Sequence, residues 1–170
     1  MPGKIKIGVS SCLLGNAVRY DGGHKLDLYL RDLLGQIVEW VPICPEVEAG
    51  LTVPREPMQL SGNPAAPRLL TIQTGIDHTE RVAQWAQAKL VQLEKTDLCG
   101  FVFKARSPSC GVHDTRIMTS SGGTAGLGPG LFAAAFMRRF PSLPAEDEER
   151  LRLTSIREHF IENIFACRKR

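Results

Sequence analysis

Three short apolar runs along the chain predict buried β-strands. They are IKIGVSS at 5–11, QIVEWVPIC at 36–44 and LCGFVFK at 98–104. The first is bounded by glycine and serine and is rich in β-branched residues, which is typical of a buried strand. The other two have a similar length and apolar character, so we expect all three in one sheet.

Apolar residues at helical spacing predict four helices, at 26–35, 77–95 and 129–140, with a terminal helix from about residue 155. The second and the last of these helices start at sequences that resemble capping boxes, Asp77 with Glu80 and Ser155 with Glu158. One face of the terminal helix is expected to carry Ile156, Phe160, Ile164 and Phe165.

The remaining segments favour loops. Residues 45–75 contain five prolines, so we expect mostly loop there, with at most a short strand at 68–73. The glycine-rich segment 120–130 is expected to be loop, and the acidic residues within 144–153 suit a first helical turn. Strands that alternate with helices predict a single α/β domain over residues 1–170, with a small, largely parallel, Rossmann-like sheet flanked by helices.

The composition fits a globular protein and narrows its partners. Apolar residues make up 43% of the chain and charged residues 23%, and the net charge is +3. This mild excess favours neither nucleic acid nor an anionic membrane as a partner. No apolar run approaches the roughly 20 residues of a membrane span, and the N-terminal segment fits a strand better than a signal peptide. We therefore expect a cytoplasmic protein, of an oligomeric state that the sequence does not indicate.

The five cysteines indicate metal or thiol chemistry. An odd number in a reducing compartment argues against a disulfide framework. Cys99 and Cys167 are expected to be buried as small hydrophobic residues. Cys12, Cys44 and Cys110 each follow a predicted strand. Because binding sites form at the carboxyl ends of parallel strands, these three thiols are expected to converge in one crevice.

Three thiolates leave two kinds of metal site open. They could hold zinc with water in the fourth position, or an iron–sulfur cluster with one iron that lacks a protein ligand. Soft thiolates favour either over hard cations. His113, three residues after Cys110, is the candidate for an additional ligand. Cysteines that are inert turn residues are the alternative.

Four motifs resemble the thiouracil desulfurase family, and the likeness runs over about residues 5–165. The motifs are GVSSCLLG at 8–15, VRYDGGHK at 18–25, CPEVEAGLTVPREPM at 44–58 and FVFKARSPSCG at 101–111. The resemblance implies a [4Fe–4S] cluster that is held by Cys12, Cys44 and Cys110 and has one open iron. It also implies removal of sulfur from thiocarbonyl compounds such as 2-thiouracil, as a desulfidase of hydrolase or lyase type. No net electron transfer is needed.

By motif position, the resemblance implies that Glu46 and Ser107 are catalytic. Glu46 would deprotonate water, and Ser107 would hydrogen-bond the substrate or relay a proton. A solvent-facing acid and a turn-capping serine are the respective alternatives. The candidates for substrate binding are Tyr20, Asp21, Gly22, Arg55 and Ser109. Two other functions stay open: a zinc- or persulfide-based sulfur-handling protein, and a non-catalytic domain that binds a nucleotide through 120–130.

Overall fold

The computed structural model describes residues 3–169, and within this range the chain forms eight β-strands and four α-helices. The strands are β1 (Ile5–Ser10), β2 (Val38–Ile43), β3 (Met58–Ser61), β4 (Arg68–Thr71), β5 (Phe101–Phe103), β6 (Thr115–Met118), β7 (Thr124–Gly128) and β8 (Ala145–Asp147). The helices are α1 (Pro45–Glu48), α2 (Thr79–Leu93), α3 (Leu131–Arg139) and α4 (Thr154–Arg168). Shorter helical turns are Ser11–Leu14, Tyr29–Leu33, Leu34–Gln36 and Arg150–Arg152.

The first sheet is wholly parallel and has the strand order β2–β1–β5–β8. The apolar runs predict three of its strands: the two inner strands β1 and β5, and the edge strand β2. Helices flank this sheet, so the predicted α/β class with a largely parallel sheet is confirmed. The carboxyl ends of β1, β2 and β5 therefore lie along one edge.

Apolar side chains cover both faces of the parallel sheet. On one face, Ile7 and Val9 of β1 pack in a cluster with Phe160 and Ile164 of α4. On the other face, the aromatic side chains of β5 pack against α2 and α3. None of the helices within residues 3–169 combines the length and the apolar character that a membrane crossing requires.

Gly8 allows the β5 aromatic side chains to lie against β1. A Cβ atom at Gly8 would lie 2.2 Å from Cδ2 of Phe101, so no larger residue fits there. Phe101 stacks on Phe103 with ring centroids 4.0 Å apart, and both rings meet Phe132 and Phe136 of α3 edge-on. Because buried aromatic side chains dominate core energetics, this cluster fixes α3 against β5.

A second sheet was not predicted from the sequence. Its order is β4–β3–β6–β7, with β3 and β6 parallel and the two outer pairs antiparallel. The strand β4 lies within the short strand predicted at 68–73. The expectation of loop throughout 120–130 is wrong, because Thr124–Gly128 forms β7. Glycine has a low strand propensity, so this segment carries no apolar strand signal.

Several helix boundaries also differ from the predictions. Neither predicted capping box forms, because the N-cap residues are His78 for α2 and Leu153 for α4. The acidic segment expected in a helical turn forms β8 instead, where Asp147 is buried. Phe165 was expected on the apolar face of the terminal helix, but it is exposed. The predicted helix at 26–35 is reduced to the two turns at 29–36.

Cys99 and Cys167 form a disulfide, so the expectation that they are unpaired hydrophobic residues is wrong. Cys99 precedes β5, and Cys167 lies in the last turn of α4, with Cα atoms 5.6 Å apart. This separation is typical of disulfides. The bond closes a loop between residues 68 positions apart, and loop-entropy models assign such a cross-link about 4 kcal/mol of stabilisation.

We expect Cys99→Ser to melt roughly 10 °C below the wild type without reductant, because the loop-closing bond is lost. In excess dithiol reductant the two proteins should melt within a few degrees of each other. Scanning calorimetry of both, with Cys167→Ser as the matched variant, checks this. An equal deficit with and without reductant would assign the loss to packing instead of the covalent bond.

Candidate functional site

The three cysteines that follow strands meet at one cavity. Cys12 lies in the helical turn after β1, Cys44 directly follows β2, and Cys110 lies in the loop after β5. All three are unpaired thiols, and they line a cavity of about 560 Å³. The convergence expected from strand direction is therefore present, while the role of these thiols as metal ligands stays a prediction.

Burial makes these thiols weak acids. Desolvation raises the pKa of Cys12 to about 11, and it also raises the pKa of Cys44 and, most strongly, that of Cys110. The positive charges of Arg19 and Lys104 oppose the rise at Cys12. Metal coordination deprotonates thiols outright, so a bound metal would replace these protons.

The N-terminal turn of α1 surrounds Cys44. The carboxylate of Glu48 accepts the N–H of Cys44 at 3.0 Å. The N–H groups of Glu46 and Val47 point at the Cys44 sulfur and oppose the rise in its pKa. Pro45 at the first position of α1 has the fixed φ that a helix start requires. The motif CPEVE thus supplies donors to the sulfur from its own backbone.

Ser107 shapes the turn that carries Cys110. Its Oγ accepts the N–H of Ser109 at 3.2 Å and the N–H of Cys110 at 3.1 Å. This is the turn-capping role that the sequence left open for Ser107. Ser107 also lines the cavity. Since a hydroxyl that accepts two hydrogen bonds still has its own hydrogen to donate, the capping role leaves a donor for a bound molecule.

The first turn of α3 anchors the same turn from behind. The N–H of Leu131 donates to the carbonyl of Pro108, and that of Phe132 to the carbonyl of Ser109, both at 3.0 Å. Gly130, the N-cap residue, makes this approach possible, because a Cβ there would lie 2.5 Å from the carbonyl carbon of Ser109. Gly130, the last residue of the glycine-rich segment, therefore allows the backbone of α3 to contact the Cys110 turn.

Glu46 is held at the cavity by two partners. Its Oε1 accepts from Nε of Arg55 at 3.0 Å, and its Oε2 accepts from the Ser109 hydroxyl at 3.1 Å. Arg55 also donates to the carbonyls of Val18 and Thr52. The Glu46 side chain is 15% exposed, so it is not a solvent-facing acid. Ser109 is fully buried behind Glu46 and does not line the cavity.

The other residues predicted to bind substrate divide into two groups. Tyr20 and Arg55 line the cavity. Asp21 and Gly22 are not among its lining residues and instead form a turn. In that turn, Asp21 Oδ1 accepts the N–H of Gly23 at 2.9 Å, and Gly22 has a φ of 81°, which favours glycine.

His113, the candidate for an additional ligand, lies away from the three thiols. Its Nε2 pairs with Oε1 of Glu146 at 2.8 Å, and it is not among the residues that line the cavity. Arg150 pairs with the same carboxylate at 3.1 Å. The structure thus places His113 in a separate polar cluster.

Several charged residues at the cavity were not singled out from the sequence, and Arg19, Lys104 and Glu148 are among them. Lys104 Nζ lies 2.6 Å from Oε1 of Glu148, whose Oε2 accepts the N–H of Ala105 at 2.8 Å. The sequence did carry a signal for Arg19 and Lys104. Arg19 lies inside the motif VRYDGGHK, and Lys104 ends an apolar run. Glu148 had no such signal, because its segment was assigned to a helix.

Comparison with known proteins identifies the family of this chain. The family model for 2-thiouracil desulfurase matches residues 7–148, which include the three unpaired cysteines and Glu46. The chain belongs to the 2-thiouracil desulfurase family. A solved structure of TudS, a [4Fe-4S]-dependent thiouracil desulfidase, is 30% identical with a TM-score of 0.70 and covers 92% of this chain and 99% of its own. The uncharacterized protein YbbK of Bacillus subtilis (strain 168) is 31% identical over 131 residues, 70% of this chain and 86% of YbbK.

We expect Gly130→Ala to destabilise the protein by about 1–3 kcal/mol, because the added Cβ overlaps the Ser109 backbone. Gly128→Ala in the same segment is the matched control, since its Cβ would lie 3.4 Å from Cδ1 of Ile117, close to ordinary contact. Urea unfolding monitored by circular dichroism gives both free energies of unfolding. Equal values for the two variants would contradict the close approach of α3 to the Cys110 turn.

Proposed function

We propose that this protein is an iron–sulfur-dependent desulfidase, which removes sulfur from thiocarbonyl compounds such as 2-thiouracil and gives the oxo compound and sulfide. The observation that carries the proposal is the convergence of three unpaired thiols and the fixed carboxylate of Glu46 on one cavity. Membership of the 2-thiouracil desulfurase family and the likeness to TudS support it.

The spacing of the thiols favours a cluster over a single metal ion. Within residues 3–169, the group of three potential ligands whose donor atoms lie within 4.8 Å of one another is His113, Glu146 and Asp147. The three cysteine sulfurs are therefore spread more widely. Sulfur ligands of one zinc ion would lie roughly 3.8 Å apart, as tetrahedral Zn–S bonds of about 2.3 Å require. In a multi-iron cluster each thiolate binds its own iron, which suits wider spacing.

The donor set fits a [4Fe–4S] cluster with one open iron. Cys12, Cys44 and Cys110 would hold it, and all three donors are soft thiolates. When bound, the open iron would supply a soft Lewis acid for a thiocarbonyl sulfur. The cavity of about 560 Å³ lies in the range of small-molecule sites. A single pyrimidine ring is a substrate of suitable size.

The residues of the chain supply proton transfer and orientation. Glu46 would accept a proton from the water that attacks the carbon of the C=S group. Arg55 and Ser109 hold its two carboxylate oxygens, so the base is positioned before substrate arrives. The hydroxyl of Ser107 would donate to the substrate. The balance is C=S plus water to C=O plus hydrosulfide and one proton, which Glu46 would hold. The reaction is hydrolytic and transfers no electrons.

We expect anaerobically reconstituted wild-type protein to bind about four irons and four sulfides per chain, as a [4Fe–4S] centre requires. Cys110→Ser, which replaces a soft ligand with a hard one, should lose most of both. Iron and sulfide analysis with visible absorption measures this, and Cys99→Ser, which changes a disulfide-bonded cysteine outside the cavity, should load normally. Wild-type protein that takes up zinc but no iron would contradict the proposed cofactor.

We expect Glu46→Gln to keep its iron but to release sulfide from 2-thiouracil at least about 100-fold more slowly, because the amide cannot accept a proton from water. Its kcat should fall more than its KM changes. Steady-state sulfide release, normalised to iron content, measures the effect. Glu39→Gln removes an exposed carboxylate of β2 and should leave the rate unchanged. Full activity of Glu46→Gln would exclude Glu46 as the base.

A further inference from the structure

Arg19 has a buried donor without a partner. Its Nε is, among residues 3–169, the one buried side-chain nitrogen or oxygen that makes no hydrogen bond. A buried guanidinium N–H without an acceptor destabilises the folded protein, because it has lost its hydrogen bonds to water and forms none in their place. Arg19 lines the cavity that the three thiols share. The missing partner of Nε is therefore expected among the molecules that occupy the cavity.

The other buried cations at this cavity already have anionic partners. Arg55 pairs with Glu46, and Lys104 pairs with Glu148. Arg106 is exposed to water and pairs with Glu149. Lys25 and Arg152 also line the cavity, but both are exposed to water. Arg19 thus differs from the rest in combining a buried donor with an uncompensated charge.

The backbone and the neighbouring ring hold Arg19 in place. Its N–H donates to the carbonyl of Gly23 at 3.2 Å, and its carbonyl accepts the N–H of Gly22 at 2.9 Å. Its guanidinium carbon lies 5.6 Å from the centroid of the Tyr20 ring, a cation–π distance. The turn formed by Asp21 and Gly22 therefore serves to present Arg19 and Tyr20 to the cavity.

The chain segment that carries Arg19 lies on the sulfur side of the cavity. The carbonyl of Val18, the residue before Arg19, lies 3.9 Å from Sγ of Cys44, and Arg19 lines the cavity together with the three thiols. A guanidinium in this position attracts a small anion that lies beside the sulfurs. The anion that matches this position is small, carries one charge and is formed next to the thiols.

We propose that Arg19 binds hydrosulfide, the sulfur anion that desulfuration leaves in the cavity, through its Nε–H. The inference rests on the proposed function for the source of the anion. A charge-assisted hydrogen bond in a buried site strengthens binding well beyond a neutral one. Arg19 compensates the negative charge that appears on sulfur as the C–S bond breaks, and it does so without a partner that must first be displaced.

The test is hydrosulfide affinity of the anaerobically reconstituted full-length protein. Sodium sulfide is titrated into wild type, Arg19→Gln, Arg19→Lys and Arg116→Gln at equal iron content, and visible absorption gives each Kd. We expect Arg19→Gln to bind at least about tenfold more weakly than wild type. Arg19→Lys, which keeps the charge, should lose less. Arg116→Gln, which removes the same charge outside the cavity, should stay within about twofold.

Equal affinities of wild type and Arg19→Gln would overturn the proposal, as would wild-type protein without saturable sulfide binding. If Arg19→Gln fails to take up iron, the comparison of Arg19→Lys with wild type tests the proposal. An equal Kd for these two proteins would contradict it. The same preparations are assayed with 2-thiouracil. One outcome separates the two proposals: sulfide binds more weakly to Arg19→Gln than to wild type, and wild type releases no sulfide from 2-thiouracil. That result would refute the proposed function and leave the role of Arg19 standing.

Discussion

The contact between the first turn of α3 and the Cys110 turn is the constraint on which the site depends. The N–H groups of α3 bind the carbonyls of Pro108 and Ser109, and Gly130 allows the two backbones to touch. The aromatic core fixes α3 against β5 on the same side. One backbone contact therefore sets the position of Cys110 and, through the Ser109 hydroxyl, the direction of the Glu46 carboxylate.

The charges around the cavity follow from that arrangement. Glu148 is buried and Glu46 is half-buried, and each is matched by a cation at hydrogen-bond distance. Breaking such a pair leaves an uncompensated buried charge and is strongly destabilising. The three thiols are neutral where burial raises their pKa, so they do not balance Arg19. The cavity is thus prepared for an incoming negative charge, which the proposed thiolate coordination and sulfur release would both supply.

Much of this site could be predicted from the sequence, because the order and direction of buried strands determine which loops meet at one edge of the sheet. Apolar runs reveal β1, β2 and β5, and parallel strands bring the following cysteines to one edge. The strands β7 and β8 could not be found this way. One carries glycines and the other acids, and each is a strand because of its pairing with β6 or β5. The same holds for side-chain partners such as Ser109 and Glu46, which lie 63 residues apart.

The parallel direction of the strands also separates the five cysteines into a disulfide pair and three unpaired thiols. Cys99 precedes β5, and Cys110 follows it, so they lie toward opposite ends of the sheet. The six residues from Cys99 to Lys104 span roughly 17 Å when extended. The disulfide partner Cys167 arrives on α4 at the amino end, whereas Cys12 and Cys44 arrive at the carboxyl end. Thiol–disulfide exchange needs direct sulfur attack, so this separation keeps the three cavity thiols unpaired while the other pair cross-links the chain.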